Sequence, residues 1–139
     1  VRIGSLLLGR GKVKKGFKNA VRLEAPIIYT KYLHKGDTIG YGADYCCKGD
    51  TKIGIVPVGR GDGLSDVSIK GIKNLFYTFS RQQYINRIIC SGISLKVLGK
   101  IGIGHIVLNL TDTGIGCGDR VYIDVNPLYV HPVIDRSLI

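Results

Sequence analysis

A chain of 139 residues has room for one domain around one core, and at 45 % hydrophobic and 22 % charged its composition excludes wholesale disorder. No uncharged apolar run approaches the roughly 20 residues that a membrane-spanning helix needs. The net charge of +10 invites a nucleic-acid reading, but seven of the basic residues fall within positions 1–22, where there is no acidic residue, so the remainder is nearly balanced.

Taken in chain order, Val1-Arg2-Ile3-Gly4-Ser5 and the four residues after it read as a buried strand cut off from its sheet. Residues 10–18 form a basic connector with only Phe17 as a stacking partner, which is thin for a single-strand platform. Short runs rich in Ile, Val and Tyr follow at 25–32, 38–41, 52–58, 85–90, 94–98, 105–110 and 120–125. Turn formers separate them: Lys35-Gly36-Asp37, Lys48-Gly49-Asp50, Gly61-Asp62-Gly63, Thr113-Gly114 and Gly118-Asp119. The alternation in Leu108-Asn109-Leu110-Thr111-Asp112 fits a half-buried strand entering a turn. Between them, 63–83 is mixed, a long loop or irregular hairpin with Tyr77, Phe79 and Tyr84 near one another in sequence.

Many short strands at these intervals, with little helical periodicity, predict a mainly β fold. The expected architecture is an antiparallel barrel-like domain over 23–139, closed or nearly so, or a sandwich. A remnant strand and the connector, 1–22, precede it. Twenty glycines, roughly twice the usual share, suit so many turns. The four cysteines include the adjacent Cys46 and Cys47, with Cys90 and Cys117 alone. They make no Cys-x-x-Cys pair and no zinc spacing with histidine, so no metal is expected. They read as buried thiols of a protein in the reducing cytosol. With Val at position 1 and no methionine anywhere, the sequence reads as a piece of a longer protein.

At Ile39-Gly40-Tyr41-Gly42-Ala43-Asp44-Tyr45 the chain resembles the C-terminal domain of the fold-type III, pyridoxal-phosphate-dependent alanine racemases. Tyr32-Leu33-His34-Lys35-Gly36-Asp37-Thr38 resembles the approach to that segment. Ile55-Val56-Pro57-Val58-Gly59-Arg60-Gly61-Asp62-Gly63 is similar to the family's Pro-x-Gly-Tyr-x-Asp-Gly. Gly99-Lys100-Ile101-Gly102-Ile103-Gly104 stands in the place of its Gly-Arg-x-Cys-Met-Asp. Leu110-Thr111-Asp112 through Gly118-Asp119-Arg120-Val121 resembles the closing hairpin, and Val1-Arg2-Ile3-Gly4-Ser5 the last strand of the N-terminal barrel domain. Six matches in order cover essentially the whole chain.

The resemblance implies a two-domain enzyme whose α/β barrel carries pyridoxal phosphate on a lysine, and whose C-terminal β domain completes the partner's site in a head-to-tail homodimer. No lysine here lies in the family's Ala-Val-x-Lys context, so the chain alone is expected to be inactive. Racemising alanine requires a base on each face of the α-carbon. The resemblance implies that Tyr41 is one of them, whereas the residues alone would make it an amphipathic-strand aromatic. It likewise implies that Arg2 faces the cofactor's pyridine nitrogen, that Gly4 and Ser5 offer amides to its phosphate, and that Tyr129 touches that phosphate. By residue type alone Arg2 is a terminal charge and Tyr129 a packing side chain.

Three positions depart from the family. Arg60 replaces a tyrosine that narrows the substrate entrance. Ile103 replaces a methionine whose backbone N–H meets the substrate carboxylate, a donor that survives the change. Gly104 replaces an aspartate that organises the site's arginine network. D-Alanine supply for peptidoglycan is the implied role. The alternatives are a non-catalytic remnant or stand-alone β module and, resting only on 10–22, a basic nucleic-acid-binding barrel.

Overall fold

The computed structural model describes residues 21–64 and 87–137. Nine strands and one 3-10 turn make up its regular structure: β1 (Arg22–Pro26), β2 (Tyr29–Leu33), β3 (Thr38–Ile39), β4 (Tyr45–Cys46), β5 (Thr51–Val56), the 3-10 turn (Arg60–Asp62), β6 (Ile88–Cys90), β7 (Ile93–Leu95), β8 (Ile106–Asn109) and β9 (Arg120–Asp124). The 1–22 strand and connector, with Arg2, Gly4 and Ser5, lie outside the described residues but for its last two positions, as does most of the 63–83 span with Tyr77, Phe79 and Tyr84.

Among the described residues every strand pairing is antiparallel, and together the pairings close a ring. β1 pairs β9, β9 pairs β6, and β6 pairs β7. The chain beyond β7 meets β8 through the Val97–Leu108 bridge, and the Leu98 and Asn109 amides donate to Val107 and Lys96 at 2.8 and 2.9 Å. β8 then pairs β5, and β5 pairs β2. The last step is covalent, because β1 runs into β2 through Ile27 and Ile28. There the Ile27 amide donates to Asp119 on one side and the Ile28 amide to Ile55 on the other. The run expected as one strand over 25–32 thus serves two sheets in turn. This is the antiparallel barrel that the strand spacing predicts.

Period-two burial fixes which face of each strand turns inward. Leu23 and Ala25 of β1 and Val121 and Ile123 of β9 point into the barrel, where they join Ile27, Val56, Ile88, Ile106, Leu108 and Leu110. Outside, Arg22 pairs with Asp124 at 3.2 Å and Arg120 with Glu24, opposite charges that favour the β1–β9 register. Hydrogen bonding and the charge of Glu24 hold the Arg120 guanidinium above its usual pKa. In β5 a glycine faces the barrel interior: a methyl group on Gly54 would lie 2.6 Å from Leu110 Cδ1, so the Leu110 side chain would have to shift.

The hairpin of β3 and β4 docks on the barrel's outer surface. Leu33, Ile39, Cys47, Ile53, Leu98 and Val107 form a second apolar cluster beneath it, with Tyr45 packed against them. The expectation of buried thiols holds for Cys47 and Cys90 only; Cys46 and Cys117 are exposed, and all four are free. Side chains alternate at the end of β4, so adjacent Cys46 and Cys47 fall on opposite faces. Burial pushes the Cys90 thiol up, outweighing the opposite effect of its contact with Ser91, and the charge of Asp119 adds to the rise. A maleimide is therefore expected to label Cys46 and Cys117 in the folded chain, and Cys47 and Cys90 only after denaturation. Rapid native labelling of Cys90, read by peptide mass, would contradict this packing.

Candidate functional site

Two turns meet the segment from Gly99 to Gly104, and a third packs against one of them. The first is the tip of the β3–β4 hairpin. β3 and β4 contribute two paired residues each, and the chain reverses with Gly40 at φ +92° and Ala43 at φ +53°. The Ala43 amide donates to the Gly40 carbonyl at 3.1 Å, closing a four-residue turn with Tyr41 as its second residue. Tyr41 was expected at the end of a strand; it sits in this turn, fully exposed. The turn is tied down by Asp44, whose carboxylate accepts Lys100 Nζ at 2.6 Å.

The second turn is the 3-10 element. Asp62 caps it by accepting the Gly59 amide at 2.8 Å. Two further amides dock it on the central segment: Arg60 N–H donates to the Gly102 carbonyl at 2.9 Å, and Gly61 N–H to the Ile103 carbonyl at 2.8 Å. The approach is so close that a methyl group on Gly59 would lie 2.3 Å from the Ile103 oxygen. The third turn follows β9, where the Tyr129 amide donates to Asn126. It abuts the second at Gly63, which has φ +100° and leaves no room for a side chain beside the Tyr129 carbonyl, 2.5 Å from a methyl placed there.

The fold thus brings Arg60, Ile103 and Tyr129 into one neighbourhood and links Tyr41's hairpin to it through Lys100. Ile103 and Tyr129 are exposed, at 75 % and 67 %. The carbonyl of Ile103 is used by Gly61, while its amide has no hydrogen-bond partner among the described residues. The guanidinium of Arg60 makes no ion pair among them either. Gly104 has open space around it, with nothing within 4 Å of the point where a methyl group would sit. Sequence patterning singles out neither Asp44 nor Lys100, nor β4. The dense glycines of Gly59-Arg60-Gly61-Asp62-Gly63 are the available signal for the backbone contacts. No group of three or more His, Cys, Asp or Glu side chains able to hold a metal occurs among the described residues, and none of their helices is long and apolar enough to cross a membrane.

The closed circuit of strands and these gathered turns define an antiparallel β-barrel domain that presents its polar and aromatic side chains from loops. Comparison with known proteins gives the family: the chain belongs to the alanine racemase C-terminal domain family, which matches residues 20–127. It is similar to the alanine racemase of Staphylococcus saprophyticus, 30 % identical over 130 residues that cover 88 % of this chain and 30 % of that protein. The alanine racemase of Aquifex pyrophilus is 30 % identical over 126 residues, covering 88 % of this chain and 33 % of that one. In fold it matches the alanine racemase structure from Acinetobacter baumannii with a TM-score of 0.64, at 24 % identity over 81 % of this chain and 28 % of that chain. The chain spans about a third of the length of the curated relatives it matches.

Proposed function

We propose that this chain supplies the C-terminal part of a pyridoxal-phosphate-dependent alanine racemase, which interconverts L- and D-alanine in the cytoplasm for peptidoglycan synthesis. In this reading 1–22 ends the N-terminal barrel domain, 23–139 is the C-terminal domain, and a second protomer receives Tyr41 in its active site. The observation that carries the proposal is Tyr41 itself: a fully exposed phenol on a turn held to the segment that bears Ile103. A tyrosine, with an apolar ring and a polar tip, is a residue type enriched where one protein surface meets another.

Bound on the barrel domain, pyridoxal phosphate would acidify the substrate's α-carbon. The donors present fit such a group: the exposed Tyr129 hydroxyl has no hydrogen-bond partner among the described residues and suits a phosphate oxygen, alongside Arg2, Gly4 and Ser5 as the resemblance assigns them. Arg2 would keep a positive charge toward the cofactor ring, since guanidinium does not deprotonate in proteins. The free Ile103 amide would bind the substrate carboxylate, and Arg60 would stand at the entrance as a cation. Tyr41 would take the α-proton from one face or return it there, while the barrel lysine serves the other.

Racemisation of alanine, followed by circular dichroism with added pyridoxal phosphate, tests this reading. The 139-residue chain is expected to give no turnover, and the chain joined to an alanine racemase barrel domain is expected to give turnover. Turnover by the chain alone, or a properly folded but inactive joined enzyme, would overturn it.

A further inference from the structure

We propose that Asp44 and Lys100 are a positioning pair that fixes the Tyr41 turn over the segment carrying Ile103. The inference rests on the reading of Tyr41 as a base. Asp44 is the residue through which the turn is held. Its side chain is only 22 % exposed, and its Oδ2 lies 3.1 Å from the point where a side chain on Gly40 would begin. The carboxylate therefore sits beneath the turn, filling the space that Gly40 leaves. Its other oxygen accepts Lys100 Nζ at 2.6 Å, a short charge-assisted contact. Gly99, at φ +73°, faces the same junction: a methyl group placed on it would lie 3.6 Å from Ile39 at the base of the hairpin. One element thus joins the turn bearing Tyr41 to a segment whose third residue beyond Lys100 is Ile103.

The two ends of the pair differ in exposure, and that decides what its loss does. Lys100 is 70 % exposed, so water replaces it readily and global stability changes little. Asp44 would lose the only cation that an ion pair gives it among the described residues, and the turn would keep the Ala43–Gly40 hydrogen bond above the β3–β4 pairing and the packed Ile39 at its base. The expected effect is local: a wider distribution of Tyr41 positions over an intact barrel. Because small misplacements of a reacting group cost rate more than binding, the change falls on kcat.

The test compares Lys100→Gln with Lys100→Arg. In the 139-residue chain, amide hydrogen exchange at 40–44 is expected to accelerate about tenfold in Lys100→Gln and to return towards wild type in Lys100→Arg, with the unfolding midpoint unchanged. In the enzyme joined to its barrel domain, Lys100→Gln is expected to lower kcat about tenfold with KM within about twofold, and Lys100→Arg to restore it. Wild-type protection at 40–44, or wild-type kcat, in Lys100→Gln overturns the inference. Failure of the base reading is seen separately, as a wild-type rate in Tyr41→Phe.

Discussion

Replacing Tyr41 with Phe in the enzyme completed by its barrel domain is expected to lower kcat/KM for racemisation about a hundredfold or more, the lower range of general acid–base contributions. The substitution removes one hydroxyl from a fully exposed side chain, so folding and stability are expected to be unchanged. L- and D-alanine have equal free energies, so kcat/KM must fall by the same factor in both directions. Asymmetry appears instead in solvent exchange. In D2O the variant is expected to wash out the α-proton of the enantiomer that presents it to the barrel lysine, without inverting it. The other enantiomer is expected to keep its proton. Near wild-type rates, or equal washout from both enantiomers, would sink the assignment of Tyr41.

The largest stability effect is expected at Gly59. A Cβ there would meet two backbone carbonyls, the Ile103 oxygen at 2.3 Å and the Gly102 oxygen at 2.5 Å, and neither can swing aside like the end of a flexible side chain. Relief requires separating the 3-10 turn from the central segment, which breaks the Arg60 and Gly61 hydrogen bonds. Overpacking at about 1–3 kcal/mol, with about 1 kcal/mol for each lost hydrogen bond, puts Gly59→Ala near 3–5 kcal/mol. Gly104→Ala is the control: it meets nothing within 4 Å, and its effect is expected within about 0.5 kcal/mol. Urea unfolding of the two variants compares them directly. Equal midpoints would mean that the close docking of the turn on Ile103 is not a feature of the folded chain.

What was legible in the sequence follows from how local each signal is. The strand at 120–125 could be read because one face of it is buried and burial alternates, and the strand at 105–110 because both of its faces are buried, which makes the run apolar up to the turn formers. The crossing at Ile27 and Ile28 could not, because both sides of it lie in a single apolar run and only the partners Asp119 and Ile55 divide it. The resemblance nominates Tyr41 as a candidate, yet strand-like neighbours hid its place in a turn. The positive φ of Gly40 is what such a glycine permits. Ring closure through Val97 and Leu108, the Asp44–Lys100 pair, and the contact of Gly59 with Ile103 are long-range matters. Residue type marks each partner as capable of its contact, but only the folded chain chooses the pair.

The central claim is that this domain brings Tyr41 to a site it does not own, and mixing two inactive subunits tests it most directly. One carries the intact C-terminal domain on a barrel whose cofactor lysine has been replaced; the other carries Tyr41→Phe on an intact barrel. Mixed dimers would contain one site with both bases and one with neither, so statistical mixing is expected to recover about a quarter of wild-type activity from two nearly inactive parents. No recovery from dimers shown to have exchanged subunits would contradict the account, because Tyr41 would then act within its own chain or not at all.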